Sequence, residues 1–461
     1  MIRIARVERP RFGTEGPLPP IVIEEYQSRL GMTANRMTAA GLDFLVVYAD
    51  REHSANLAYL TGFDPRFEEA VLLLDTRGNR LLLVGNECAG YLPDPSLKYQ
   101  VELFQDFSLM GQPRGESKPL RAILSGFGIG KGAAVGCVGW KYYGGSLLDH
   151  AQAAIEIPSY IVDLLRHLTG DAALVGNATP LLMDVDTGLR VTNSATQIAR
   201  FEFAAIRTSE SVCAALLHLQ EGVAEDELER HYHGSGIPQS CHPMVSFGEK
   251  VKRGLSSPSQ NRAKLGDAFT VAYGLQGALT SRAGAVARGP EDLSENLRGF
   301  YEAYVTNYFG VVAAWYRSVK VGAVAGEVFE AAESARDARL YSFAVNPGHY
   351  LHLDEWVHSP FARGSTTVLR SGMALQMDII PISQGPFCYT NAEDGIVLAD
   401  ETLRADIAQH YPSCWRRMRA RRDFMQDVLG IRLDESVLPL SNTEGWLPPF
   451  GLAPEKILID G

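Results

Sequence analysis

Two short apolar runs limit what the second half of this chain can fold into: "MALQMDII" at 373–380 and "NAEDGIVLA" at 391–399. Their length and apolar content read as buried strands. Both nevertheless carry acids, Asp378 in the first and Glu393 and Asp394 in the second. A carboxylate on a buried strand is costly unless it is paired, bound to a metal or facing a wet pocket. Side chains alternate along a strand, so Gln376 and Asp378 share one face of the first run. Asn391 and Glu393 share a face of the second, opposite Asp394. The surrounding stretch, 346–400, adds His349, His352 and His358, three of the chain's eleven histidines, with Asp354 and Glu355 close by. The stretch is a site candidate on chemical grounds. Its bland counterpart is a salt-bridged network at a strand edge.

At 461 residues the chain exceeds one small core, and two or three domains are expected. A formal charge of −11 argues against a nucleic-acid partner, which would demand a basic face. No apolar run reaches the roughly 20 residues of a membrane helix, and residues 1–20 lack the apolar centre of a secretory signal. The cysteines Cys88, Cys137, Cys213, Cys241, Cys388 and Cys414 are scattered without a CxxC pair. They read as reduced, mostly buried thiols of a cytoplasmic protein. Cys241 and His242 are adjacent in sequence only, which does not make a catalytic pair.

Along the chain, residues 1–20 read as an irregular arm and 21–40 as a helix. Strands are expected at 41–49, 70–74, 79–87, 133–140 and 153–159, with a helix stopping at Gly62. Strands alternating with helices predict an α/β domain over 1–188. Helical spacing then covers 194–220. His231 and His233, two apart, fit a solvated helix end better than a metal pair. Short strands at 243–248 and 268–281, helices near 297–315 and 326–339, and the two acid-bearing strands make 189–428 an α+β domain. In "AFTVAYG", Thr270, Ala272 and Gly274 form a small-residue face, and Phe269, Val271 and Tyr273 a bulky one. Residues 429–461 are Pro-rich and read as an irregular tail.

Six segments appear in an order that resembles the creatinase/prolidase/methionine-aminopeptidase family. They are "QIARFEFAAIRTSES", "LQEGVAEDEL", "LGDAFTVAYG", "NPGHYLHLDEWVHSP", "SGMALQMDIIP" and "NAEDGIVLAD". The resemblance spans about half the chain, and the first half fits the creatinase-type N-terminal domain. It implies an α/β N-terminal creatinase-type domain followed by an α+β pita-bread domain.

The departures from the family pattern matter most. Its metal-dependent members hold two metal ions with two Asp, one His and two Glu. Carried over, these positions fall on Ala272, near Ser281, and on His349, Asp378 and Glu393. A second family histidine falls on Leu255 or Ser256. A dinuclear site needs bridging carboxylates, which Ala272 and Ser281 do not supply. The resemblance therefore implies a creatinase-like site with no resident cofactor. His349, Asp378 and Glu393 would suffice for a single divalent metal held weakly.

In this reading His349 is the base or proton shuttle, and Asp378 and Glu393 hold a cationic group of the substrate and orient water. His352, Asp354 and Glu355, in a two-residue insertion, line the pocket mouth or are simply solvated. His358, before "SP", contacts substrate, as does Tyr273, and Arg282, which echoes a family arginine, contacts substrate or is structural. The resemblance also implies a homodimer in which Arg66 and Phe67 of "TGFDPRFEEA" reach the neighbouring site. A surface loop pairing Arg66 with Glu68 or Glu69 is the plainer alternative. The implied function is metal-independent hydrolysis of a C–N bond in a small polar metabolite. The runner-up is a metal-dependent Xaa-Pro peptidase, and the third reading is a ligand-binding protein without catalysis.

Overall fold

The structure, a computed structural model, describes every residue except 146 and 386–388. Cys388, expected to be a reduced thiol, lies outside the described residues. The other five cysteines are free, as expected, and Cys241 is the one not fully buried. The chain forms two compact units. One is 21–191; the other joins 1–20 to 192–461.

The chain opens with β1 (Ile2–Arg6), which pairs antiparallel with the last strand of the chain. Then follow β2 (Phe44–Ala49), β3 (Ala70–Asp75), β4 (Arg80–Val84), β5 (Gln100–Leu103), β6 (Val135–Val138) and β7 (Val175–Asn177). These six make the mixed sheet of the first unit, in the order β5-β4-β3-β2-β6-β7. Its core gathers alternate residues such as Val46, Leu73 and Leu83 against Ile123, Leu124 and Leu165 of the helices Leu120–Phe127 and Ser159–Thr169. The helix Ala55–Thr61 ends at Gly62, whose φ of +73° suits a residue without a Cβ. The strand expected at 153–159 is absent: Ala151–Ala153 is a 3₁₀ turn, and Glu156 turns its carboxylate to the Trp140 N–H at 2.8 Å. β5 and β7 are short and partly polar, and the apolar pattern did not disclose them.

The second unit contains β8 (Met244–Phe247), β9 (Ala268–Leu275), β10 (Ala278–Ala285), β11 (Tyr341–Phe343) and β12 (His349–Tyr350). β13 (Ala374–Ile379), β14 (Pro381–Ser383), β15 (Asn391–Leu398), β16 (Val437–Pro439) and β17 (Lys456–Asp460) complete it. Seven of them form one antiparallel sheet, β12-β13-β15-β10-β9-β8 with β16 added on β15. The helix Ala195–Leu217 lies against β9 and β10, and Glu295–Ser318 packs on β13. Ser194 caps the first of these helices by accepting the Gln197 N–H.

Two expectations are corrected here. The arm 1–20 begins with a strand and belongs to the second unit, and the boundary falls after Val191. The tail is not irregular: it supplies β16 and β17, and every residue from 436 to 450 is buried. Its order comes from hydrogen bonds rather than periodicity. The loop between β16 and β17 gives the carbonyls of Thr443 and Trp446 to the Arg282 guanidinium. No helix among the described residues is long and apolar enough to cross a membrane.

Candidate active site

The sheet register builds the site. Asp378 faces Glu393, Glu393 faces Ser281, Ser281 faces Ala272, and Ala272 faces Met244. Directly opposed residues of antiparallel strands point to the same side. One row therefore crosses five strands, acidic at the β13–β15 end and apolar at the β9–β8 end. His349 pairs with Gln376, two residues from Asp378 on the same face.

His349 is held by its own local geometry. Gly348 has φ +112°, and a Cβ there would lie 2.7 Å from the Gln376 carbonyl oxygen and 3.1 Å from the Trp315 ring. Only glycine admits that approach. After His349 the chain loops out and returns: the Tyr350 N–H donates to the His358 carbonyl (2.7 Å), and the Val357 N–H to the Tyr350 carbonyl (3.2 Å). The loop so closed lays Glu355 and Trp356 over His349. The Trp356 indole stacks on the imidazole with centroids 4.2 Å apart and planes 21° apart.

His349 Nε2 lies 3.1 Å from Glu355 Oε1, 3.6 Å from Glu393 Oε1 and 3.9 Å from Asp378 Oδ2. Its Nδ1 is 3.2 Å from the Tyr350 carbonyl, which can only accept, so Nδ1 carries a hydrogen. His349 is fully buried, and Asp378 and Glu393 nearly so. The Glu355 side chain, 24 % exposed, is the one of the four that meets solvent appreciably. His349 Nε2, Asp378 Oδ1 and Glu393 Oε1 are buried without an aligned hydrogen-bond partner among the described residues.

Burial favours neutral forms here, and the charges oppose it. Burial lowers the His349 pKa, but the neighbouring Glu355, Glu393 and Asp378 outweigh it and hold the imidazole well above its ordinary value. Burial raises Glu355, yet His349 leaves it below the ordinary range. Burial, with Glu355 nearby, pushes Asp378 up to about 7. Burial and then Asp378 push Glu393 well above the usual carboxylate range.

Other sequence candidates fall elsewhere. Arg282 lies on the opposite side of β10, 1 % exposed, where it meets Asp394 at 2.6 Å. It does not reach the His349 group: parity puts it with Thr280, which bonds Thr208 of the helix behind the sheet at 2.9 Å. Tyr273 is likewise on the far side of β9 from Ala272, stacked on Tyr232 at 4.8 Å. His352 is buried edge-on against Phe201, and Asp354, half-buried, gives its carbonyl to the His352 N–H. His358 Nδ1 sits 3.2 Å from the Ser359 carbonyl. Trp356, rather than His358, is stacked on His349.

Leu255 is 76 % exposed, and its carbonyl meets His242 Nε2 at 2.7 Å. His231 and His233 follow the short helix Glu225–Glu229, and His231 stacks on His218. Arg66 and Phe67 belong to the first unit. Arg66 has φ +61°, and its guanidinium is 3.8 Å from Asp64 rather than on Glu68 or Glu69. Glu68 accepts the Glu87 and Cys88 N–H groups, and Glu69 pairs with Tyr48. Sequence reasoning did not anticipate Trp356, or Glu355 as a direct neighbour of His349. Neither lies in a periodic segment, so the pattern of apolar residues carried no signal for them.

One nitrogen or oxygen from each of His349, Asp378 and Glu393 lies within 4.8 Å of the others, a spacing able to hold one divalent cation. A two-cation centre does not fit, because the facing positions on β10 and β9 are Ser281 and Ala272. Ser281 Oγ already donates to Asn391 Oδ1 at 2.8 Å.

No family model and no curated protein matches this sequence. Solved structures do match. A prolidase from Pyrococcus horikoshii aligns with TM-score 0.61 at 17 % identity, over 81 % of this chain and 95 % of that one. A dipeptidase from Mycobacterium ulcerans aligns with TM-score 0.62 at 19 % identity, over 82 % and 94 %. An X-Pro aminopeptidase from Thermotoga maritima gives TM-score 0.59 at 13 % identity, over 81 % and 95 %. An α/β unit followed by a pita-bread unit is thus the fold of this chain.

Proposed function

Starting from a fold shared with prolidases, dipeptidases and X-Pro aminopeptidases, we propose that this chain hydrolyses a C–N bond of a small polar substrate without a metal centre. One observation carries the reading. Three buried polar atoms, His349 Nε2, Asp378 Oδ1 and Glu393 Oε1, converge without aligned partners on one face of the sheet. Leaving such groups unpaired is costly, and a substrate bearing N–H donors would satisfy the two carboxylates. Where a two-metal enzyme would place bridging carboxylates, this chain has Ser281 and Ala272. No step is routed through a dinuclear centre.

The four side chains divide the work by position. Glu355, the one open to solvent, orients the attacking water beside His349. Glu355, held ionised beside His349, takes the proton from that water as its oxygen bonds to the carbonyl-type carbon. The His349 imidazolium gives a proton to the nitrogen as the C–N bond breaks and is restored by the proton on Glu355. Asp378 and Glu393, facing each other across β13 and β15, hold the N–H groups of the substrate. Trp356 covers the imidazole and limits water around it.

The test is a panel of small amides, amidines, guanidines and Xaa-Pro dipeptides assayed before and after EDTA, with elemental analysis of the purified chain. Turnover of a small amide, amidine or guanidine, unchanged by EDTA, is the expected result. A second reading is favoured by the spacing of His349, Asp378 and Glu393: a peptidase acting on Xaa-Pro bonds with one bound cation. Activity confined to Xaa-Pro dipeptides, lost in EDTA and restored by Mn²⁺ or Co²⁺, would establish that reading instead. Binding without turnover of any panel member would identify a non-catalytic binding protein.

We also propose that the chain acts as a homodimer, with Arg66 and Phe67 of one copy clamping substrate at the other copy's site. The exposed turn that carries them supports this: Phe67 is 51 % exposed, and Arg66 adopts a left-handed backbone. Arg66→Ala is expected to raise KM about tenfold or more by removing a bidentate carboxylate contact. A mixture of Arg66→Ala and His349→Gln subunits should recover part of the activity, since mixed dimers contain one intact site. Sedimentation as a monomer would rule the arrangement out.

A further inference from the structure

Breaking a C–N bond at a carbonyl-type carbon needs a donor for the charge that gathers on the atom doubly bonded to that carbon. Glu355, His349, Asp378 and Glu393 are occupied with the water, the leaving nitrogen and the N–H groups, and none of them is free for that task. Asn391 opens β15 two residues before Glu393, so the two side chains share a face of the strand. On the neighbouring β10, Ser281 faces Glu393 and Ala283 faces Asn391. Asn391 therefore stands beside the acids on their side of the sheet, next to two small side chains.

Ser281 decides how the Asn391 amide is turned. Its Oγ donates to Asn391 Oδ1 at 2.8 Å. Turned the other way, the amide would leave the Ser281 hydrogen without an acceptor among the described residues. With Oδ1 held, the two Nδ2 hydrogens point away from Ser281. No described residue accepts them, and Nδ2, unlike Asp378 Oδ1 and Glu393 Oε1, is not sealed from solvent. The rest of Asn391 is buried. A fixed donor in so dry a place is worth more than one in water.

The spacing suits a carbonyl group. Residues two apart on a strand are about 7 Å apart, roughly the span of an amide with a hydrogen bond at its nitrogen and another at its oxygen. We propose that Asn391 Nδ2 is the oxyanion donor of this site and that Ser281 is the residue that positions it. As the water oxygen bonds to the carbon and its proton passes to Glu355, the C=O electron pair moves onto the oxygen held by Asn391. When that pair returns, the C–N bond breaks and the nitrogen leaves with the proton from His349. The inference rests on the reading of the acids as holders of the substrate's N–H groups, and it narrows the substrate class. A donor here favours the C=O of an amide or ureide. It opposes the C=NH₂⁺ of an amidine or guanidine, whose own hydrogens would meet those of Nδ2.

The test uses the full chain and matched probes, acetamide against acetamidine and N-methylurea against N-methylguanidine, with release of ammonia and methylamine as the readout. The carbonyl member of each pair is expected to turn over about 10²-fold faster or more. Asn391→Leu, which keeps the bulk without a donor, should lower kcat on the carbonyl member by about 10²–10³ at little changed KM. Ser281→Ala should give a smaller fall in kcat, again at unchanged KM, a split that a loss of folded protein would not produce. Thermal melts establish that each variant is folded. Should Asn391→Leu not fold, the double change Ser281→Ala with Asn391→Leu removes both partners of the hydrogen bond and takes its place. An amidine or guanidine turned over as fast as its carbonyl partner, or a wild-type kcat without the Asn391 amide, would overturn the donor while leaving the metal-free reading standing. Turnover lost in EDTA, or absent with every probe, would overturn both.

Discussion

Replacing His349 by glutamine is expected to lower kcat by about 10²–10⁴, the usual contribution of a positioned acid–base group. The side chain is fully buried, and its Nε2 lies 3.1–3.9 Å from three carboxylates. The described group contains no second imidazole, since His352 packs on Phe201 and His358 faces the Ser359 carbonyl. Glutamine retains similar bulk under Trp356 and an N–H to satisfy one carboxylate, but it cannot carry a proton from water to nitrogen. Binding of an ammonium probe should therefore persist while turnover is lost. Steady-state kinetics beside probe titration separates the two effects. A variant that keeps the wild-type kcat would remove His349 from the chemistry and leave the four-residue group as a binding site alone.

Replacing Arg282 by methionine is expected to destabilise the fold by about 3–5 kcal/mol, the cost of breaking a buried ion pair from one side. Arg282 is 1 % exposed and Asp394 0 %. The guanidinium donates to Asp394 Oδ2 (2.6 Å), to the Ser281 carbonyl (2.6 Å), to the Trp446 carbonyl (2.8 Å) and to the Thr443 carbonyl. Without it, Asp394 stays buried near Glu444, whose own carboxyl is held well above its ordinary range by burial and then by Asp394. The tail would lose the cation that its carbonyls converge on. Urea titration should show a lowered midpoint with an unchanged slope, as expected for a fold of equal extent. The double change Arg282→Met with Asp394→Leu should recover much of the loss, because the stranded charge is gone. A substrate-binding role for Arg282 would give the reverse pattern: a raised KM at unchanged stability.

These two arginine and histidine assignments show how far the sequence could be read. Parity along "MALQMDII" and "NAEDGIVLA" put Asp378 with Gln376 and set Glu393 opposite Asp394, the family resemblance brought the faces of Asp378 and Glu393 together, and the register agrees. The same parity, applied along β10, assigns Arg282 to the Thr280 side, away from Ser281. Likeness to a family arginine left substrate contact and a structural role both open, and the alternation points to the structural one. Ala272 and Ser281 were read as non-ligands, and the register sets them directly opposite each other in the row that ends in Glu393 and Asp378. Glu355 was read as lining a pocket mouth or simply solvated. It lies against His349 because two backbone hydrogen bonds fold the loop 350–358 back on itself.

The sequence by itself determined the two-part organisation, the faces of the long strands and the identity of three of the four grouped side chains. The first two follow from local rules, a period of two along strands and near-helical spacing elsewhere, and the grouping of His349 with Asp378 and Glu393 follows from the resemblance of their segments to the family's motifs. Only the tertiary structure decided that Glu355 and Trp356 close over His349. It also decided that the tail is buried around Arg282, and that the acidic row continues into Ser281, Ala272 and Met244. Each of these depends on contacts between residues distant in the chain, or on a loop whose shape is set by backbone hydrogen bonds. Neither leaves a repeating trace in the order of amino acids.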